Sequence, residues 1–242
     1  MASSASPDAI NSRPELIDEA LGLSRLESRL PPVLSVIAGM VDLTGFFTLG
    51  NIFTAHVTGN LVLVAQAAVR GGPLNLAQGL AIPVFIVALA AVWLLARLSG
   101  RRGLPLAKLL LLIQFLLLAG VLIFSVVAKP SISPHGPLAG VAAMIAVSAM
   151  ACQYAFFRLA IPSAISTAVM TGNLTNTVLS LMDLLSPGRP LMTVDPQRWK
   201  RSLRLLVGFL VGCVLAAAAV SFLSDWAWSL PFVLAGVALA LR

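Results

Sequence analysis

Charge is what this sequence has least of. Asp, Glu, Lys and Arg make up 10% of its 242 residues, where a soluble domain carries about 25%. Mean hydropathy is +0.97, so water is not the main solvent of this chain. Cysteine is nearly absent as well. Cys152 and Cys213 lie in apolar stretches among small residues, and they read as small buried hydrophobes, not as a disulfide or a metal pair. No Cys/His cluster exists in the sequence, so no metal site is expected. The polar start, Met1-Ala-Ser-Ser-Ala-Ser-Pro, lacks the basic region and apolar core of a cleavable signal peptide. The alternating pattern of a transmembrane β-barrel is missing. Missing too are His-Glu-x-x-His, Gly-x-Ser-x-Gly, Walker and dinucleotide patterns. The sequence therefore offers no catalytic residues and no cofactor, and an enzyme is not expected.

What is present is apolar length. Of all residues, 59% are apolar, and eight stretches can be marked at about 33–50, 53–69, 80–97, 105–128, 138–157, 164–185, 203–223 and 226–241. Several approach the roughly 20 residues that a spanning helix needs. The expected fold is an all-α membrane protein, one integral domain over 31–242 in the lipid bilayer. Residues 1–30 form a polar tail, of which 14–30 has the spacing of a short amphipathic surface helix or stays frayed. The net charge of +7 suggests nucleic acid only at first sight. The basic residues are spread over loops, as the positive-inside rule requires, and no soluble domain gathers them on one face. No nucleic-acid partner is expected.

Ten residues recur. Ile52-Phe-Thr-Ala-His-Val-Thr-Gly-Asn-Leu61 returns 113 positions later as Ile165-Ser-Thr-Ala-Val-Met-Thr-Gly-Asn-Leu174, with seven of the ten identical. This divides the chain into two homologous halves, about 33–128 and 138–241. Loop charge then orders the spans. If all eight stretches cross the membrane, the sixteen Lys and Arg residues divide roughly 11 inside to 5 outside. If 53–69 and 164–185 enter and turn back, the division becomes roughly 14 to 2, with only Arg70 and Lys129 outside. The second count predicts six spanning helices plus two re-entrant or broken helices, and it makes the halves inverted repeats. That arrangement recurs in secondary transporters and channels.

Both re-entrant stretches carry Thr-Gly-Asn. Asn and Thr favour helix starts and Gly permits a turn, so helices are expected to begin near Asn60 and Asn173. From Asn60 to Arg70 is about 15 Å of helix, half the hydrocarbon thickness. Two such starts near the midplane would turn N–H groups and partial positive charge toward each other. A small polar or anionic solute would be favoured there. The same triplets can equally be packing contacts between membrane helices.

Other polar residues sharpen this reading. Asp42 lies in an apolar stretch, where a carboxylate is costly and is a functional candidate by default. It would carry a coupling proton, or it would cap a broken helix and bind Thr44 or His56. His56, inside the first repeat only, would relay protons, touch solute or pack through a hydrogen bond. Gln153 and Tyr154 are candidate pathway residues, and Gln114 is a candidate bridge between helices. The candidate binding set is Asp42, His56, Thr58, Gly59, Asn60, Thr171, Gly172 and Asn173.

Ala38-Gly-Met-Val-Asp42 followed by Phe53-Thr-Ala-His-Val-Thr-Gly-Asn-Leu61 resembles the signature of the YoaK-like family of small membrane proteins, found in bacteria and in fungi. The resemblance covers nearly all of the chain after about residue 30, and the second Thr-Gly-Asn matches more loosely. It implies a multi-pass protein of the bacterial inner membrane, with no established activity and no catalytic residues to carry over. The expected function is a transporter or channel-like protein for a small solute. The alternative is a membrane scaffold, sensor or regulator that transports nothing. A homo-oligomer is compatible with either.

Overall fold

A computed structural model describes residues 7–71, 75–185 and 198–241, with side chains from residue 28 onward. The described residues fold into helices α1 (Pro7–Thr48), α2 (Gly59–Arg70), α3 (Leu76–Arg101), α4 (Leu106–Ala128), α5 (Pro137–Leu159), α6 (Met170–Leu185), α7 (Arg198–Leu223) and α8 (Ser229–Ala240). No strand occurs among them. The stretch 14–30 is the early part of α1 and runs without a break into the apolar stretch that follows it.

Among the described residues, five stretches are long and apolar enough to cross a membrane: Ser28–Thr48, Leu76–Arg101, Leu106–Ala128, Pro137–Leu159 and Arg198–Ala240. The chain is a multi-pass helical membrane protein. The last stretch joins α7 and α8 through a 3-10 turn over Ser224–Trp228. That turn takes up the start of the apolar run 226–241, so α8 keeps only 12 residues, about 18 Å. Ser224 has a φ of +49°, and Asp225 accepts from the Ser131 N–H at 3.2 Å and from the Ser131 hydroxyl. These contacts tie the turn to the α4–α5 connection.

Burial concentrates on α1 and α5. In each of these two spans 67% of the apolar window is buried, against 11% for Leu76–Arg101. Small residues make this possible: Ala139, Ala142, Ala143, Ala146 and Ala149 of α5 are all fully buried. Close approach is tightest between α1 and α7. A Cβ on Gly39 would lie 2.2 Å from the Phe209 carbonyl oxygen, and one on Gly212 would lie 2.2 Å from the Val36 carbonyl oxygen. Membrane helices associate through this kind of small-residue packing, since apolar burial against lipid gains little. Ser35 adds a hydrogen bond from its hydroxyl to the Leu205 carbonyl.

The packing has an order that matches the internal repeat. Helix α1 lies along α7, with Pro32 beside Gly208 and Val36 beside Gly212, so the two run in the same direction. Helix α5 lies along α3, with Ala77 beside Gly140 and Phe85 beside Tyr154, again in the same direction. The first helix of each half therefore packs on the third apolar stretch of the other half. Helices α4 and α5 run antiparallel, with Gly120 near Ile145 and Gln114 bonded to Gln153.

Candidate functional site

After α1 the chain does not continue outward. Gly50 (φ +81°) and Asn51 (φ +58°) turn it back. A side chain at Gly50 would meet the Pro134 carbonyl oxygen at 2.4 Å, so glycine is required there. The chain then dips to Asp42, six residues before the end of α1, about 9 Å along the axis. Helix α2 leads back, ending at Gly71 in the left-handed region. The entry and the exit meet again. The Asn75 amide donates to the Gly50 carbonyl at 2.7 Å, and the Gln78 amide donates to the Asn51 carbonyl at 3.0 Å. Asn75 also caps α3 by accepting from the Ala77 N–H at 3.0 Å.

The bottom of this dip is held by a carboxylate. Asp42 Oδ1 accepts from the backbone N–H groups of Thr54 (2.8 Å) and Ala55 (2.9 Å), with that of His56 at 3.4 Å. Asp42 Oδ2 lies 2.7 Å from His56 Nδ1. Converging N–H groups of this kind form an anion site, and here the protein supplies the anion itself. The other face of the His56 ring is edge-on to Phe209 of α7, with centroids 5.1 Å apart. Asp42 is 5% exposed, and His56 keeps about a third of its side-chain surface.

Asn60 closes the segment. Its Oδ1 accepts from the Phe53 N–H at 2.9 Å, and its Nδ2 donates to the Phe53 carbonyl at 2.7 Å. The sequence suggested Asn and Thr as caps of α2, but Asn60 is spent on Phe53 and Thr58 makes no side-chain cap. The first N–H groups of α2 are satisfied instead by the turn before them: Gly59 to His56, Asn60 to Val57 and Leu61 to Thr58. They carry no free donors toward a solute.

The second repeat is a looser copy. Asn173 donates from Nδ2 to the Ser166 carbonyl at 3.1 Å, and Ser166 stands 113 positions after Phe53. Helix α6 starts at Met170, three residues ahead of the expected start at Asn173. Thr167, the counterpart of Thr54, is fully buried and accepts from Gln153 Nε2 at 3.2 Å. Gln153 stands six residues before the end of α5, much as Asp42 stands in α1. The position equivalent to Asp42 is Ala155, so no carboxylate faces this segment from α5.

Of the candidate residues, Asp42, His56 and Asn60 are thus gathered around one segment, with Gly59 opening α2 and Thr58 exposed. Thr171 and Gly172 lie in the first turn of α6 with Asn173, and Thr171 is exposed. Among the described residues no hydrogen bond joins one triplet to the other. The link between the segments runs through α5. Tyr154 donates to the Ala55 carbonyl at 2.7 Å. Its neighbour Gln153 donates to Leu34 at 2.9 Å and to Thr167, and accepts from Gln114 Nε2 at 2.7 Å. Leu34 and Asp42 are eight residues apart on α1, about 12 Å. Between them Ile37, Ala38 and Val41 are fully buried.

Two crevices open at opposite ends of this layer. One, about 1280 Å³, is lined by α2, the start of α3 and the start of α5, and includes Asn51, Val141, Met144 and Ile145. The other, about 270 Å³, includes Ala164, Ser28, Pro31 and Pro32. Taken in order, these four pairs are each separated by the repeat offset of 113. Four lining residues of one crevice are thus related to four of the other by the repeat offset. Sequence reasoning missed Arg70 and Asn75 as crevice residues. Asn75 carried a signal, a helix-capping residue directly before an apolar helical run.

A family model described as "Protein of unknown function (DUF1275)" matches residues 30–241. No curated protein and no solved structure shows significant similarity to the chain.

Proposed function

The chain belongs to the DUF1275 family of proteins of unknown function, and from that premise we propose that it carries a small solute across a membrane, as a transporter or channel-like protein. One observation carries the reading: two crevices at opposite ends of the bundle, sharing four lining positions related by the repeat offset and separated by a packed layer. Alternating access needs two such openings and one barrier.

In this reading the halves are inverted repeats. Helix α1 and α7 run one way and α5 the other, which supports six crossings when α8 is counted as a crossing of its own. The segments 49–70 and 160–185 enter from opposite faces and turn back. The bonds from Asn75 and Gln78 to the first segment's start support this for the first half. Arg201 and Arg204 at the smaller crevice support reading that end as the cytoplasmic one, in a bacterial inner membrane. The solute path runs past Asp42, His56 and Thr58 on one side and past Thr171, Gly172 and Asn173 on the other. Gly59 and the Asn60 amide shape the first segment, and the chemistry is binding and passage, without catalysis.

Cysteine scanning tests this. In a chain with Cys152 and Cys213 replaced by Ala, single cysteines through 54–60 and 167–173 are exposed to a small polar thiol reagent from each side of the membrane. Transport requires labelling at positions 56 and 58 from one side and at 171 from the other. Uniform protection at all of them favours a scaffold or sensor and removes the transport reading.

A further inference from the structure

We infer that the larger crevice binds an amphipathic organic anion, a carboxylate or phosphate head on an apolar body, entering from the solution on that face. The proposal deepens the transport reading by naming its substrate class, but the binding can be tested without transport.

Three observations meet here. The first is charge. Arg70 lines the crevice, no Asp or Glu does, and no salt bridge to Arg70 exists among the described residues. The second is placement. In the six-span arrangement proposed above, Arg70 and Lys129 are the two Lys or Arg residues on the outer side, which the positive-inside rule keeps poor in them. The rule that explains Arg201 and Arg204 in the opposite crevice does not explain Arg70. A cation kept against that bias, beside a cavity without acids, is a recognition element for an anion. The third is shape. At about 1280 Å³ the crevice exceeds the usual 300–1,000 Å³ of small-molecule sites. Its lining includes the apolar Leu117, Met144 and Ile145, while Gln66 stands one helical turn before Arg70 on α2. A headgroup at Arg70 and Gln66 would leave the apolar body to those apolar side chains. The smaller crevice carries Arg201 and Arg204, so a solute of this class meets positive charge at both ends of its route.

The test uses the full chain in nanodiscs of phosphatidylcholine, titrated calorimetrically with 4-phenylbutyrate and with neutral 4-phenylbutanol. Empty nanodiscs correct for partitioning. Wild type is expected to bind the anion at least tenfold more tightly than the alcohol. Arg70→Gln is expected to lose that preference while keeping its melting temperature. Lys129→Gln, the other basic residue on that face and outside the crevice, is expected to retain it. Equal binding by wild type and Arg70→Gln overturns the proposal. So does co-purification of a tightly held acidic phospholipid that Arg70→Gln loses, with no phenylbutyrate binding in lipid-free protein, because the crevice is then a lipid site. Failure here leaves the labelling result untouched, and failed labelling leaves this binding result standing.

Discussion

Asn60 holds Phe53 with both ends of its amide, accepting from the backbone N–H at 2.9 Å and donating to the carbonyl at 2.7 Å. Asn173 keeps half of that grip, one donor bond of 3.1 Å to the Ser166 carbonyl. The same triplet thus does the same work twice, more tightly in the first half. Thr-Gly-Asn shapes a returning backbone, and the residues that face the crevices lie around it.

The two asparagines should therefore differ in cost. Asn60 is fully buried, so Asn60→Ala leaves two backbone groups of Phe53 without their side-chain partner, a loss of about 2–4 kcal/mol. Asn173→Ala removes one bond to a backbone carbonyl and a weak contact with the Met170 sulfur, about 1 kcal/mol. Thermal unfolding of the purified protein should rank wild type above Asn173→Ala, and Asn173→Ala above Asn60→Ala. A larger loss for Asn173→Ala would mean that the first segment is not the more tightly closed one.

Asp42 separates structure from function by the choice of replacement. Asp42→Ala strips the acceptor from Thr54 and Ala55 and is expected to reduce folded protein several-fold. Asp42→Asn keeps a carbonyl oxygen for those N–H groups but loses the charge facing His56. It should accumulate near wild-type levels and lose activity. Size-exclusion yield and uptake, measured on both variants, decide the matter. Equal loss of folded protein in the two would make Asp42 a structural anchor alone.

The contact between α1 and α7 should tolerate no added atom. Gly212→Ala places a Cβ 2.2 Å from a backbone oxygen of Val36, and backbone cannot swing aside as a side chain can. Overpacking of this kind costs about 1–3 kcal/mol. Gly79→Ala, where a Cβ meets nothing within 4 Å, is the control. Gly212→Ala should lower the melting temperature and Gly79→Ala should leave or raise it.

Much of this was legible before any coordinates. Each of the eight apolar stretches contains a helix, because lipid leaves the backbone few other ways to satisfy itself, while 53–58 and 164–169 stay irregular where they are held by protein. Gln114 was read as a bridge between helices, and it bonds Gln153. The pairing of Asp42 with His56 stood among the readings open for Asp42. What sequence could not give was register. Nothing in the order of residues says that the N–H groups of 54–56 converge on Asp42, or that Asn60 prefers Phe53 to its own helix start. Both follow from a turn at Gly50 and Asn51 whose angles are set by Pro134 and Asn75 across the bundle. The short α8 escaped for the same reason: Ser131 draws Asp225 into a turn, and composition does not show that pull.

The asymmetry between the halves offers a last test. Gln153 corresponds to Met40 in the first half, so Gln153→Met gives the second half the residue of the first. The change strands the Gln114 amide and the Thr167 hydroxyl and takes a second donor from the Leu34 carbonyl, all partners of Gln153 in a buried network. Orphaned buried polar groups cost about 1–3 kcal/mol each, so Gln153→Met should be strongly destabilising. Gln114→Leu alone should cost less, because Gln153 Nε2 keeps both of its acceptors. The double variant removes both amides, and replacing both partners with apolar groups is nearly neutral for the bond between them. A double-mutant cycle on unfolding midpoints should therefore show the pair less damaging than the sum of the singles. Strict additivity would mean that the two amides do not depend on each other.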